Sequence, residues 1–160
     1  MPTLLIIRHG IAEDFRLGLK DSDRALTEEG WAKTRAAMKG LVRHGFRPTR
    51  GFHSPYRRAA ETMSCLQEAA GAFPMETCLG LLPNARPAET DLWLRGLMAE
   101  AGPELLIALI SHQPLVSELV FHLTGRDVDM KKASCAVLHW EEGAWGFERH
   151  FAPAELREGT

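Results

Sequence analysis

Arg8, His9 and Gly10 follow directly on the aliphatic run Leu4-Leu5-Ile6-Ile7, and at that junction the residue types first suggest chemistry. A neutral imidazole can attack an electrophilic phosphorus, while a neighbouring guanidinium holds phosphate oxygens through forked, charge-assisted hydrogen bonds. Gly10 would let the main chain turn sharply and come close to a ligand. Taken alone, the tripeptide is more often a surface arginine beside a hydrogen-bonded loop histidine, because short strings recur by chance. Two other junctions have the same character: Ser54-Pro55-Tyr56 runs into Arg57-Arg58, and the apolar run Leu105 to Ile110 runs into Ser111-His112.

These side chains need elements to position them. A short aliphatic run reads as a buried strand, and open α/β sheets place ligands at the carboxyl ends of such strands. Thr27 reads as an N-cap, with Glu28 and Glu29 favourable in the first turn of a helix that reaches about Val42 and stops before Gly45 and Pro48. Arg50 to His53 reads as a second strand, Tyr56 to Ala70 as a helix closed by Gly71, and Leu79 to Pro87 as a loop. Glu89 to Ala101 reads as a third helix, and Pro114 as the first turn of a fourth that Gly125 stops. Ala136 to Trp140 and Trp145 to Arg149, joined at Glu142-Gly143, read as an antiparallel hairpin at a sheet edge, and the polar tail after Phe151 as loosely held. The expected fold is a three-layer α/β/α sandwich with a mostly parallel central sheet and an antiparallel edge, formed by a single domain over residues 1–160. In such a sheet the three junctions can converge on one crevice.

With those segments in view, the chain resembles the histidine phosphatase superfamily, also called phosphoglycerate mutase-like. The matching strings are Ile7-Arg8-His9-Gly10, Ser54-Pro55-Tyr56-Arg57-Arg58-Ala59-Ala60-Glu61-Thr62 and Ile110-Ser111-His112-Gln113-Pro114-Leu115-Val116, with Ala25-Leu26-Thr27-Glu28-Glu29-Gly30 as a secondary match. They occur in the family's order, and the short chain with its Ser-His-x-Pro-Leu-Val run is most similar to the SixA-type branch, which removes phosphate from phosphohistidine in signalling proteins. The resemblance implies His9 as the nucleophile, Arg8 and Arg58 as phosphate clamps and His112 as a second imidazole on the phosphoryl oxygens, cationic if it is to add to their charge. Family spacing selects Arg58 over Arg57, which is left as a solvated helix residue. Where acid phosphatases of the superfamily carry a carboxylate after the second histidine, this chain has Gln113. An alkoxide needs that proton, whereas a protonated imidazole leaves as a neutral base, so its absence favours a phosphoramidate. Glu13, Asp14 or Glu89 could supply a proton instead, although each also reads as a solvated loop charge.

Composition narrows the field further. The 160 residues are 45% hydrophobic and 25% charged with a formal net charge of −2, which argues against a nucleic-acid partner. Cys65, Cys78 and Cys135 are odd in number and form no C-x-x-C pair, so they read as reduced thiols rather than disulfides or a zinc site. No signal-type start or long apolar stretch occurs, so a cytoplasmic protein without membrane association is expected. His44, His53, His122, His139 and His150 have no metal-like spacing, and Trp31, Trp93, Trp140 and Trp145 read as packing residues. The expectation is therefore a metal-independent, cofactor-free phosphatase acting on a phosphohistidine-bearing protein through a phosphorylated His9. A small phosphate monoester or nucleotide-derived metabolite is the alternative substrate, and a non-catalytic phospholigand-binding module the alternative role.

Overall fold

The computed structural model describes residues 1–158. Six strands form one sheet: β1 (Thr3–Arg8), β2 (Arg50–His53), β3 (Met75–Thr77), β4 (Leu106–Ser111), β5 (Cys135–Glu141) and β6 (Ala144–Phe151). Their spatial order is β3-β2-β4-β1-β5-β6. The first four are mutually parallel, while β5 runs antiparallel to β1 and β6 antiparallel to β5. The expected mixed α/β architecture is present, with the antiparallel hairpin at one edge.

The uninterrupted apolar character of β1 and β4 has a simple cause, since both faces of these strands are covered. Leu5, Ile7, Ala108 and Ile110 pack against Met38 and Leu41 of α1 (Glu28–Arg43), Met63 and Leu66 of α2 (Arg57–Ala70) and Leu156 of a short terminal helix. Leu4, Ile6, Ile107 and Leu109 point the other way, onto Leu94 and Met98 of α3 (Pro87–Met98) and Leu115, Val116, Leu119 and Val120 of α4 (Leu115–Thr124). Thr27 caps α1 by accepting from the Gly30 N–H at 2.9 Å, as its position predicts. Gly125 ends α4 in the left-handed conformation at φ 77°. The β5–β6 turn puts Glu142 and Gly143 at φ 52° and 79°, the pair of positive values a two-residue hairpin loop demands.

Several boundaries differ from the sequence reading. Pro87 opens α3 two residues before Glu89, and the helix ends at Met98 rather than Ala101. Pro114 caps α4 instead of lying in its first turn, and Tyr56 caps α2. Within the expected loop, Leu79–Leu81 forms a 3-10 turn, and β3 extends the sheet beyond β2. The tail is not loose over its described part: Pro153–Arg157 is a helix, α5, whose Leu156 is fully buried; residues 159 and 160 lie outside the described residues. Gly40 of α1 makes that docking possible, because a side-chain carbon there would collide with the Leu156 carbonyl.

Candidate active site

Three adjacent strands, β2, β4 and β1, end side by side, and the residues that follow them form the site. The ladder continues past the strand ends: the His9 N–H donates to the Ser111 carbonyl at 3.0 Å and the Ser54 N–H to the Ile110 carbonyl at 3.0 Å. Since Arg8 is paired in register with Ser111, His9 and His112 fall next to each other, and their rings lie 5.1 Å apart. Both are buried. Ser54, after β2, hydrogen-bonds His112 Nε2 through its Oγ at 2.8 Å and also accepts the Tyr56 N–H at the start of α2. The first turn of α2 carries Arg58 to His9, where Nε donates to His9 Nε2 at 3.3 Å. All four residues expected to act, Arg8, His9, Arg58 and His112, therefore sit at the carboxyl ends of the parallel strands or on the helix that starts there.

The tautomer of His9 follows from its partners. Nδ1 lies 2.7 Å from the Gly10 carbonyl, which can only accept, so Nδ1 carries the proton and Nε2 holds the lone pair. Burial above all, then the neighbouring His112, Arg58 and Arg8, beside which a further positive charge is disfavoured, drives the His9 pKa down to about 3 despite the favourable Gly10 bond. His112 is likewise pushed down to about 3, by burial first and then by Arg58. Both rings are thus neutral at physiological pH. That corrects a cationic His112 for the site as it stands: its contribution is a neutral ring whose Nδ1 is buried without a partner.

Arg58 is oriented by a residue the sequence did not single out. Asp21, on the 3-10 turn Asp21–Asp23, accepts from Arg58 through its backbone carbonyl at 2.7 Å and its carboxylate at 3.3 Å. A contact spanning 37 positions has no local signature in the sequence. Thr62 ties helix to loop by accepting the Gly10 N–H at 3.1 Å and donating to the Arg58 carbonyl. Gly10 is not needed for a left-handed turn; a side-chain carbon there would strike Thr34 Oγ1 on α1. Tyr56 packs edge-on against His112 and under the Arg58 guanidinium, 5.1 Å away in each case.

On the far side, Arg8 donates to the Met130 carbonyl at 3.1 Å while its Nε is buried and unpartnered. Gln113 donates to that same carbonyl and accepts from the Ser117 N–H, so its side chain braces the wall of the site. Glu13 is also engaged: Ala25 N–H and then Arg16 hold its carboxyl below the usual range, which makes it a poor proton donor. Asp14 and Glu89 are exposed, and Arg57 lies on the surface paired with Glu61. Among the described residues no group of three or more His, Cys, Asp or Glu is placed to hold a metal ion, and no helix is long and apolar enough to cross a membrane. Of the other histidines and tryptophans, His53 is buried with its Nδ1 bonded to the Ser54 carbonyl at 2.8 Å, His122 pairs with Asp91 on the surface, and Trp93 packs edge-on to Phe52.

The model of the histidine phosphatase superfamily (branch 1) matches residues 4–82. An uncharacterised protein of Picosynechococcus is 30% identical over 92% of this chain and 89% of its own length. The structure of the protein histidine phosphatase SixA complexed with tungstate superposes with a TM-score of 0.88 at 26% identity, covering 96% of this chain and 99% of that one. The chain belongs to the histidine phosphatase superfamily. Within it, the chain falls in the SixA-type branch. Phosphatase activity is the coarse function that this membership supports. Mycobacterial glucosyl-3-phosphoglycerate phosphatase shares the fold, with a TM-score of 0.72 at 19% identity over 91% of this chain and 96% of that one.

Proposed function

We propose that this chain is a metal-independent phosphohistidine phosphatase, one catalytic domain in which His9 carries the phosphoryl group between substrate and water. The observation that carries the reading is the neutral His9, with its lone pair on Nε2 at the focus of Arg58, Arg8 and His112. As the substrate's phosphoryl group enters, its oxygens take over the Arg58 donors that otherwise cover Nε2. Nε2 then attacks phosphorus, a new N–P bond forms, and the substrate's N–P bond breaks with its electron pair leaving on the imidazole. Water next attacks the phosphorylated His9, releasing inorganic phosphate and restoring the lone pair. In both steps charge on the equatorial oxygens is balanced by two guanidiniums and by a hydrogen bond accepted from the second, neutral imidazole, so catalysis is positioning plus electrostatics. The buried, unpartnered Arg8 Nε and His112 Nδ1 are polar groups that a phosphoryl oxygen would satisfy.

The substrate class is supported by what surrounds the leaving group. Gln113 is an amide bound to Met130 and Ser117, and Glu13 is held ionised, so neither offers the proton an alkoxide needs. An imidazole leaving group does not need it. The SixA neighbour, named a protein histidine phosphatase and bound there to tungstate, a tetrahedral oxyanion, agrees with this choice. A small phosphate monoester is the second reading, because the same fold serves glucosyl-3-phosphoglycerate phosphatase.

The test is to stop turnover by rapid quenching in alkali and look for acid-labile, alkali-stable phosphate on His9. Wild type is expected to label during hydrolysis of a phosphohistidine protein, and His9→Ala neither to label nor to turn over. A substrate panel run alongside, including sugar phosphates and p-nitrophenyl phosphate, decides between readings; strong preference for the esters overturns the phosphoramidate assignment.

A further inference from the structure

Ser54 follows β2 with its side chain fully buried, between His112 and the start of α2. A hydroxyl has one hydrogen to donate and two lone pairs with which to accept. The Tyr56 N–H donates to Ser54 Oγ at 3.2 Å and so occupies one lone pair. The other partner of Oγ is His112 Nε2, at 2.8 Å, and among the described residues the hydroxyl makes no third hydrogen bond. Were Nε2 to carry the imidazole proton, Oγ would accept from both partners and its own hydrogen would be buried without an acceptor, a costly arrangement. With the Ser54 hydrogen given to Nε2 instead, every group of the trio is satisfied, and the proton of the neutral ring falls on Nδ1.

We infer that Ser54 is a positioning residue, which fixes the tautomer of His112 so that an N–H at Nδ1, and not a lone pair, faces the transferring phosphoryl group. His112 Nδ1 is buried and has no hydrogen-bond partner among the described residues, in a ring that is 2% exposed and 5.1 Å from the ring of His9. A lone pair there would repel a phosphoryl oxygen, whereas an N–H donates to it. The two imidazoles thus take opposite assignments. His9 gives its Nδ1 proton to the Gly10 carbonyl and presents a lone pair to phosphorus; His112 gives its Nε2 lone pair to a hydroxyl and presents a proton to oxygen. A carbonyl beside one ring and a hydroxyl beside the other separate nucleophile from donor. Ser54 also ties the donor to the clamp, because the N–H it accepts belongs to the residue that caps α2, whose first turn carries Arg58. This assignment rests on the reading of the site proposed above and adds the residue that sets its second imidazole.

The test is heteronuclear NMR at neutral pH on protein carrying isotope-labelled histidine rings, comparing wild type with Ser54→Ala and using His112→Asn to assign the His112 signals. Wild type is expected to show His112 protonated on Nδ1, and Ser54→Ala to move the ring toward the form protonated on Nε2. Thermal unfolding checks that the variant folds. Kinetics on a phosphohistidine peptide and on p-nitrophenyl phosphate accompany the spectra, and Ser54→Ala should lower kcat/KM about tenfold, the effect of one hydrogen bond. A wild-type ring protonated on Nε2 overturns the inference without recourse to any variant, and so does an unchanged tautomer in folded Ser54→Ala. If the tautomer depends on Ser54 as expected but only p-nitrophenyl phosphate is hydrolysed, the role of Ser54 stands and the phosphohistidine reading is overturned instead.

Discussion

Burying two imidazoles as neutral rings has a cost that depends on pH. Each folded-state pKa of about 3 lies below the ordinary value of 6.5. Above pH 6.5 neither the folded nor the unfolded chain protonates these groups, and stability is unaffected. As pH falls from 6.5 toward 3 the unfolded chain binds protons that the folded chain excludes, so stability is lost, on the order of 1 kcal/mol per pH unit for each histidine. Denaturant melts between pH 7 and pH 4 are expected to show this decline, and His112→Asn to make it shallower. Arg58→Ala should lower kcat by roughly 10² to 10³, measured on a phosphoramidate, because one preorganised donor to the developing charge is lost. At this scale the sequence was legible where short strings follow strand ends, as at His9 and His112. It was silent on Asp21 and Ser54, whose roles exist only after distant segments have met.

Among the elements, α1 is the one most constrained by close approach. Gly30 lies against the Ile11 carbonyl and Gly40 against the Leu156 carbonyl, where any side-chain carbon collides with backbone. Gly40→Ala is therefore expected to destabilise by about 1 to 3 kcal/mol through overpacking, read from urea unfolding. Gly96 on α3 has open space around it, so Gly96→Ala should be neutral or stabilise by roughly 0.5 to 1 kcal/mol. The contrast also explains which elements the sequence disclosed. The helices α1, α2 and α4 and the strands β1 and β4 announce themselves by periodicity, caps and continuous apolar runs. Met75–Thr77 is three exposed residues that become a strand only beside β2, and α5 is five residues that pack only because Gly40 leaves room. Elements that owe their existence to a neighbour carry little pattern of their own.

For the molecule as a whole, charge is distributed unevenly rather than in excess. Arg58 lies at the phosphoryl site, and Arg8, Lys33, Lys131 and Lys132 line one neighbouring cavity, while the chain totals −2. Attraction of a dianionic phosphoryl substrate should be local and screenable, so kcat/KM is expected to fall several-fold between about 20 mM and about 300 mM salt while kcat changes less. Steady-state kinetics at fixed pH in the two salts reads this directly.

The gap between His9 and His112 is set by two neighbouring strands in a parallel ladder, not by a loop. The reacting pair is thereby insulated from changes at the rim. Exchanging residues 14–20, the stretch that leads to Asp21 beside Arg58, with those of another chain of this shape would remodel that rim while leaving the imidazole spacing untouched, so diversification of specificity here is a matter of trimming and grafting around a fixed gauge.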